Sequence, residues 1–394
     1  MTLQVLEGSK AVSEVVGLCK PNVISAYPIT PQTHIVEYLA EMVADGRLKA
    51  EYINVESEHS AASACLGASL TGARTYTATT SQGLLLMLEV LYNISGLRLP
   101  VVLTCANRAI SSPLNIWNDH QDAITLRDTG WIQFFAEDIQ EVVDLHIQAY
   151  RIGEDRRIML PVVVSMDGFL LTHTFEPVEI PKPEDIDRFL PKFNPEYYLT
   201  PKTPLTFGSF AEPDRYMETR YALNEILNRS KSVIIDTAKE FKKVFGRFSG
   251  DLIEEYNTKE ADIILVGMGS IVSTMKEVAD ELRQKNERIG VLKIRTFRPF
   301  PDKEITNCLR DKKIIVVLEK AISLGYGSIL ANEIKSVLYA QGSTPRINSF
   351  IAGLGGRDIS KDTIKKAIER SKKEKIELEF LDLNKDILPE ELSV

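Results

Sequence analysis

The hydrophobic positions in the first half of the chain fall into short runs that recur at regular intervals. The runs are rich in Val, Ile and Thr and cover residues 22–28, 50–55, 74–79, 99–107 and 160–168. They do not alternate strictly between apolar and polar residues, as expected of strands that are covered on both faces. We therefore predict a buried β-strand in each run.

Amphipathic segments separate these runs and are typical of helices. They cover residues 33–46, 57–72, 83–96 and 137–155, and most of them reach a glycine, a common end of a helix. The second segment should begin at Ser57, a favourable N-cap residue. Strands that alternate with helices predict an α/β fold with a parallel, doubly wound sheet.

The pattern changes in the middle of the chain. Residues 177–204 carry seven of the 18 prolines, which predicts an extended connection, and a helical pattern follows over 213–257. A second α/β unit starts at 261, with further strands in 289–301 and 311–322. We divide the chain into 1–176, 177–258, 259–375 and a C-terminal arm, 376–394.

Composition and charge narrow the class of protein. The net charge of −8 argues against a nucleic-acid-binding protein. No signal-peptide pattern and no membrane-spanning run are evident in the sequence, so we expect a cytoplasmic protein. The four cysteines lie far apart, which favours buried thiols over disulfides, an iron–sulfur cluster or another metal site on this chain.

A glycine-rich turn opens the second α/β unit. Gly267 and Gly269 stand between a predicted strand and a predicted helix, where backbone N–H groups can bind an anion. Ile271 and Val272 occupy the place of the third glycine that the dinucleotide-binding fingerprint requires. A structural corner is therefore favoured here, and nucleotide binding stays an alternative.

Four predicted strands of the first half are followed by polar residues. These residues are Thr30, Glu58, the triplet Ser81, Gln82 and Gly83, and Arg108. Because parallel strands end at the same edge of a sheet, we expect these residues to converge, as ligand-binding groups of open α/β sheets do. Glu58 and Glu56 also lie where carboxylates simply favour a helix N-terminus, and that interpretation stays open.

Two further features support a site at this edge. Pro28 and Pro31 restrict the backbone around Thr30 and would hold its hydroxyl in place. Arg108 begins a long polar connection, and arginine is a natural bidentate partner for a carboxylate. The same connection contains Asn118, Asp119, His120 and Asp122, and it is either a loop beside the active site or a salt-bridged surface loop.

Several stretches together resemble the α subunit of the 2-oxoacid:ferredoxin oxidoreductases. They are AYPITPQT, VESEHSAASACLGASLTGARTYTATTSQGLLLM, LPVVLTCANRAI, PLNIWNDHQDAITLRDTGWIQFFAED and MDGFLLTHTFEPVEIP, in order, and the similarity extends from about residue 5 to at least 360. The resemblance implies a thiamine diphosphate pyrimidine-binding domain followed by a transketolase C-terminal-like domain. The version of the family that acts on pyruvate is the most similar.

The resemblance also implies an activity and a set of partners. The complex would oxidatively decarboxylate pyruvate with CoA to acetyl-CoA and CO₂ and pass the electrons to ferredoxin. Thiamine diphosphate would be shared with a β subunit. Mg²⁺ and [4Fe-4S] clusters would lie on the partner chains, named β, γ and δ.

The same resemblance assigns roles to individual residues. Glu58 would hydrogen-bond the aminopyrimidine ring nitrogen, so that the exocyclic amine can remove the thiazolium proton. Thr30 and Arg108 would bind the substrate carboxylate. The residues that would border the cofactor are Pro28, Ser81, Gln82 and Gly83.

Two alternatives to the pyruvate activity stay open. The first is a branched-chain enzyme of the same family, which acts on 2-oxoisovalerate. The second, from a different class, is a non-catalytic scaffold or a nucleotide-binding subunit that uses the turn at Gly267 and Gly269.

Overall fold

Two large β-sheets organise residues 2–392, the part of the chain that this computed structural model describes. The chain divides into two compact units. Unit 1 contains the residues up to 254 together with 268–270 and 294–301, and unit 2 contains 255–267, 271–293 and the residues from 302 onwards. The four segments predicted from the sequence stay a prediction; residues 1, 393 and 394 of those segments lie outside the described part.

The elements alternate between strand and helix in the first part of the chain, as predicted. In chain order they are β1 (Thr2–Glu7), α1 (Gly8–Leu18), β2 (Val23–Ala26), α2 (Thr33–Ala44), β3 (Glu51–Asn54), α3 (Glu58–Leu70), β4 (Thr75–Thr79), α4 (Ser81–Gly96), β5 (Val102–Asn107), α5 (Gln121–Thr125), β6 (Ile132–Phe135), α6 (Ile139–Gly153), β7 (Val162–Asp167), β8 (Phe175–Ile180), α7 (Pro183–Phe189) and α8 (Pro213–Phe245).

The second part continues the alternation. Its elements are β9 (Ile253–Tyr256), β10 (Ile263–Gly267), α9 (Ile271–Arg283), β11 (Ile289–Ile294), β12 (Thr296–Arg298), α10 (Asp302–Leu309), β13 (Ile314–Glu319), α11 (Leu330–Ala340), β14 (Arg346–Ile351), α12 (Lys361–Lys373) and β15 (Glu379–Phe380). Among residues 2–392, no helix combines the length and the apolar character needed to cross a membrane.

Unit 1 is built on a seven-stranded sheet with the order β12-β6-β7-β5-β4-β2-β3. Six of its strands run parallel, and β12 pairs with β6 in the antiparallel direction. Strands β4, β5, β6 and β7 are buried along their whole length, as expected for strands covered by helices on both faces. The parallel α/β fold predicted for this half is therefore confirmed.

Unit 2 contains most of a six-stranded sheet with the order β15-β14-β13-β10-β11-β9. Helices α9 and α12 enclose one apolar core with this sheet, and Phe350, Val316 and Leu265 lie at its centre. The predicted second α/β unit is confirmed, although β14 was not among the predicted strands.

Helix α8 ends earlier than the sequence predicted. The helical pattern was read as far as residue 257, but the helix stops at Phe245, and β9 begins at Ile253. Gly246 has a φ of 75°, the left-handed conformation that glycine adopts readily, and its N–H donates to the Lys242 carbonyl. The sequence did not indicate this helix end, because charged and apolar residues continue at helix-like spacing after Gly246.

The proline-rich stretch is partly ordered into elements. It was predicted to be an extended connection, yet its first residues belong to β8, which pairs with β1 in an antiparallel ribbon, and Pro183 begins α7. Proline fits the first turn of a helix because the N–H that it lacks would have no partner there. Phe189 of α7 packs edge-on against Phe241 and Phe245 of α8.

All four cysteines are free and buried. Burial raises the pKa of Cys19, Cys65 and Cys308 to about 12 and raises that of Cys105 well above its ordinary value. The prediction that they are buried thiols is confirmed.

Glu319 should make the stability of unit 2 depend on pH. Burial raises its pKa to about 7, although the N–H groups of Ile329 and Leu330 donate to Oε2 at 3.1 and 2.9 Å. Its Oε1 atom is buried and has no hydrogen-bond partner. The pKa of this acid is higher in the folded state than in the unfolded state. Its contribution to stability is therefore fully present at a pH below the unfolded pKa, and it is lost as the pH rises through the folded pKa.

We therefore expect Glu319→Gln to be stabilising relative to the wild type at pH 8 but not at pH 4. The difference in the free energy of unfolding between the variant and the wild type should change by ~3 kcal/mol from pH 4 to pH 8. Urea unfolding of both proteins across this range measures it, and Glu374→Gln, at an exposed position, is the control. If the wild type and the variant differed in their free energy of unfolding by the same amount at every pH, the prediction would be contradicted.

Candidate active site

Four neighbouring strands of unit 1 end at one edge of the sheet, and the predicted site residues follow those ends. Strands β3, β2, β4 and β5 are adjacent and parallel. Thr30 lies after β2, Glu58 after β3, Ser81 after β4 and Arg108 after β5. The parallel arrangement therefore brings together residues that are up to 78 positions apart in the sequence.

Arg108 connects three of these segments. Its Nη1 donates to the Thr30 carbonyl at 2.7 Å, and its Nη2 donates to Gln82 Oε1 at 3.3 Å. Its Nε atom is buried and has no hydrogen-bond partner. Burial lowers the pKa of Arg108, against the nearby charges of Asp122 and Glu58, which raise it. The guanidinium thus has one buried N–H donor that no residue within 2–392 uses.

The loop between β2 and α2 presents the Thr30 hydroxyl. Thr30 and Pro28 are exposed, and the peptide bond between Thr30 and Pro31 is cis. The Thr30 carbonyl accepts the hydrogen bond from Arg108, and the Thr30 hydroxyl has no partner within residues 2–392. The side chain is therefore available to a ligand, while its backbone is held by Arg108. The place of the exposed Pro28 beside the cofactor stays a prediction.

Glu58 is the buried member of the two candidate acids. It is the first residue of α3, and the side chain of the N-cap residue Ser57 accepts from the Ser60 N–H at 3.3 Å. Glu58 is only 7% exposed, and in the described part of the chain its carboxylate accepts no hydrogen bond. Glu56 is exposed and is paired with the Ser60 hydroxyl. Of the two, only Glu58 is a buried acid without a hydrogen-bonding partner.

Gly83 makes room for this carboxylate. A Cβ atom at position 83 would lie 2.7 Å from Glu58 Oε1 and 2.4 Å from Thr79 Oγ1, both closer than atoms can pack. Thr79 Oγ1 is also buried without a hydrogen-bond partner. Because Gly83 has no side chain, α4 can pack against α3 closely enough for Glu58 to lie beside Thr79 at the end of β4.

Asp122 holds the base of the site together. Oδ2 accepts the N–H groups of Ser81 at 3.0 Å and Arg108 at 2.9 Å, and Oδ1 accepts Asn107 Nδ2 at 2.9 Å and the Ala123 N–H at 2.7 Å. Burial raises the pKa of this carboxyl, whereas the four donors lower it. The carboxylate is a fixed junction between the ends of β4 and β5 and the start of α5.

The remaining predicted loop residues have different partners. The Asn118 side chain donates to the Gly168 carbonyl at 3.2 Å, and Asp119 accepts from the backbone and side chain of Gln121, two positions away. His120 Nε2 lies 2.7 Å from Asp167 Oδ1, and both residues are buried. Asn118, His120 and Asp122 therefore belong to the framework of the site, and Asp119 is hydrogen-bonded to the first residue of α5.

The glycine-rich turn also meets Asp167. The backbone N–H of Ser270 donates to Asp167 Oδ2 at 3.1 Å, and the Ser270 hydroxyl contacts the same atom. The Ser270 N–H, which could otherwise bind an anion, therefore already has a carboxylate partner. This contact disfavours the alternative in which the turn binds a nucleotide.

Sequence reasoning overlooked three polar residues of this region. Thr79, Asn107 and Asp167 are the last residues of β4, β5 and β7, and all three are buried. Their common position at the carboxyl ends of adjacent parallel strands could have identified them. They were overlooked because each follows directly from an apolar run and was counted as part of it.

The polar groups at this edge match those that a cofactor with a polar heterocycle requires. Glu58 offers a buried carboxylate, and Thr79 Oγ1 and Arg108 Nε are buried without hydrogen-bond partners. Buried polar groups without partners are rare in folded proteins unless a ligand or water completes them. The site therefore fits a bound ring with hydrogen-bonding nitrogen atoms.

A substitution at Gly83 tests this packing. We expect Gly83→Ala to lower the free energy of unfolding by ~1–3 kcal/mol, because the new methyl group overlaps Glu58 and Thr79. Gly96→Ala in the same helix is the matched control, since nothing lies within 4 Å of the added Cβ, and its stability should be unchanged or slightly higher. Equal urea midpoints for the two variants would contradict the prediction.

Two family models match the chain. Residues 14–239 match the thiamine diphosphate-binding domain of pyruvate flavodoxin/ferredoxin oxidoreductases, and residues 261–364 match core domain II of pyruvate:ferredoxin oxidoreductase. The first match covers unit 1 from α1 to most of α8.

Individual relatives agree with these models. Pyruvate synthase subunit PorA of Methanosarcina barkeri is 52% identical over 98% of this chain and 97% of its own length. Its counterpart from Pyrococcus furiosus is 47% identical over 94% of this chain and 93% of its own. Ketoisovalerate oxidoreductase subunit VorA of Pyrococcus abyssi is 42% identical over 94% of this chain and 93% of its own.

A solved structure shares the fold. It is the 2-oxoglutarate:ferredoxin oxidoreductase from Magnetococcus marinus with 2-oxoglutarate, coenzyme A and succinyl-CoA bound, at a TM-score of 0.67 and 20% identity. The match covers 94% of this chain and 65% of that longer chain. The resemblance read from the sequence is confirmed, and the chain belongs to the pyruvate:ferredoxin oxidoreductase family.

Proposed function

We propose that this chain is the α subunit of a pyruvate:ferredoxin oxidoreductase. The complex would convert pyruvate, CoA and two oxidised ferredoxins into acetyl-CoA, CO₂, two reduced ferredoxins and a proton. The observation that carries the proposal is the convergence of Glu58, Thr30 and Arg108 at one sheet edge, each with a polar group left for a ligand. The relatives named pyruvate synthase subunits support the choice of reaction.

Glu58 would hold the pyrimidine ring of thiamine diphosphate. When bound, this cofactor supplies the nucleophilic carbon and the electron sink that cleave a 2-oxoacid. The buried Glu58 carboxylate would share a proton with a ring nitrogen, and burial away from water strengthens that hydrogen bond. Thr79 and Gly83 shape the adjacent space. Ser81 and Gln82 would border it, since both are tied to the Arg108 segment.

Arg108 and Thr30 would bind the carboxylate of pyruvate. A guanidinium and a hydroxyl provide a charged and a neutral donor, and the charged one contributes more of the binding energy. The contact between Arg108 and the Thr30 carbonyl fixes the distance between the two donors. The neutral Thr30 leaves space for the methyl ketone of a small 2-oxoacid.

The other components of the reaction would be supplied by partner chains. We assign Mg²⁺ and the diphosphate end of the cofactor to a β subunit, and the [4Fe-4S] clusters to the β, γ and δ partners that lead to ferredoxin. The cysteines of this chain are buried and have raised pKa values, so they are poor candidates for cluster thiolates. We also propose that the complex works in the cytoplasm.

The branched-chain activity is the competing assignment. It is supported by the VorA relative, whose identity of 42% is lower than the 52% of the first pyruvate synthase subunit. Comparing kcat/KM for pyruvate and 2-oxoisovalerate in the assembled complex distinguishes the two. A higher value for 2-oxoisovalerate would overturn the choice of substrate but not the role of the site.

Replacing Glu58 tests the catalytic assignment. We expect Glu58→Gln to reduce CoA-dependent pyruvate oxidation by the assembled complex at least ~100-fold, because an amide cannot share a proton as an acid–base group does. Glu56→Gln is the matched control at the same strand–helix junction; Glu56 is exposed, so turnover should be nearly unchanged. Normal turnover of Glu58→Gln would reject the proposed role.

Replacing Thr30 tests substrate binding. We expect Thr30→Ala to raise KM for pyruvate by about 10-fold with a smaller change in kcat, since a hydrogen bond from a hydroxyl to a carboxylate is worth ~1.5 kcal/mol. Thr33→Ala, in the first turn of α2, is the control. A loss of stability without any change in KM would instead make the hydroxyl structural.

A further inference from the structure

Glu7, His34 and His173 form a cluster away from the residues used above. One nitrogen or oxygen atom from each lies within 4.8 Å of the corresponding atoms of the other two. Glu7 ends β1, His34 lies in the first turn of α2, and His173 lies in the turn between β7 and β8. All three belong to unit 1, and the function proposed above makes no use of them.

We propose that this cluster binds one divalent transition-metal ion of the Zn²⁺ class. Two imidazoles and one carboxylate are a recurrent donor set for such ions, and they leave further positions for water. The assignment is independent of the reaction catalysed at the sheet edge.

The distances suit a shared ion. The rings of His34 and His173 have centroids 4.7 Å apart. Two imidazoles that bind one ion through bonds of ~2.1 Å at a near-tetrahedral angle place their centroids ~5 Å apart. His34 Nδ1 lies 2.6 Å from Glu7 Oε1, a hydrogen bond in the metal-free arrangement. Co-ligands of Zn²⁺ lie ~3.3 Å apart, so the half-exposed His34 ring would move outward by less than ~1 Å.

Outer hydrogen bonds already orient two of the three ligands. Tyr38 donates to Glu7 Oε2 at 3.1 Å, and Thr172 Oγ1 lies 2.7 Å from His173 Nδ1. The other ring nitrogen of His173 makes no hydrogen bond in the described part of the chain. Metal-binding histidines usually have such a partner on the ring nitrogen that does not bind the ion.

The cluster has a charge that a cation would balance. Glu7 is 7% exposed, so water has little access to its carboxylate. The same carboxylate lies close to the two imidazoles. One bound cation would satisfy both imidazole rings and the carboxylate, because one ligand atom of each lies within 4.8 Å of the others. Bound metal would also tie together the end of β1, the start of α2 and the 168–174 turn.

Zn²⁺ titration of the full chain tests the proposal. We expect the metal-free protein to bind one Zn²⁺ per chain by calorimetry at neutral pH, and the affinity to fall in acid, because imidazoles bind a metal ion only in their neutral form. Co²⁺ should give visible absorption typical of nitrogen and oxygen ligands, without a thiolate charge-transfer band.

Variants locate the site. Thr172→Val removes only a hydrogen-bonding partner of a ligand, so it should weaken Zn²⁺ binding ~10–100-fold. His34→Gln and His173→Gln each remove a ligand, so each should weaken Zn²⁺ binding by more than this. His59→Gln, the matched histidine outside the cluster, should bind as the wild type does. His34 is half-exposed, so its variant should keep the fold, as circular dichroism will show. No stoichiometric Zn²⁺ binding, or binding retained by both His34→Gln and His173→Gln, would overturn the proposal.

Discussion

The buried carboxylate of Asp122 is the constraint on which the site depends. Four N–H groups converge on it from the end of β4, the end of β5 and the start of α5. Each of these backbone segments must present a donor to the same two oxygen atoms, so their relative positions are fixed. Hydrogen bonds to a charged acceptor are roughly twice as strong as neutral ones. The directions in which Ser81 and Arg108 leave the sheet therefore follow from one acid that touches no substrate.

Much of the fold could be predicted because burial leaves a local trace. The apolar runs at β2, β4, β5 and β7 predicted buried parallel strands, and the polar residues after them predicted the sheet edge. The run at 50–55 does form strand β3, but the prediction that it is buried was wrong, because β3 is the edge strand of its sheet and is mostly exposed. The sequence could not separate Glu58 from Glu56, whereas the burial of Glu58 and the bare Cα of Gly83 beside it do so. Thr30 and Arg108 come together as expected of residues at one sheet edge, although their direct contact uses the Thr30 carbonyl rather than its hydroxyl.

Other features depend on contacts between distant residues and leave no local pattern. Asp122 and Asp167 look like loop acids in the sequence, yet each is a junction between separate strand ends or turns. Strand β6 has four residues, which lie between the predicted polar connection and the next predicted helix and were assigned to no element. They form a strand by pairing with β7 and β12. The cluster of Glu7, His34 and His173 joins residues whose spacing no local motif describes.

The four buried cysteines have a practical consequence for handling the protein. Reactivity toward oxidants and alkylating agents belongs to the thiolate, and a thiol with a pKa of about 12 supplies almost none of it at neutral pH. Air exposure should therefore leave the thiols of this chain intact, so any oxygen sensitivity of the complex would arise in its partners. A single cysteine introduced on the exposed first half of α8 would accordingly take up a maleimide dye with little background, giving a site-specific label for following assembly.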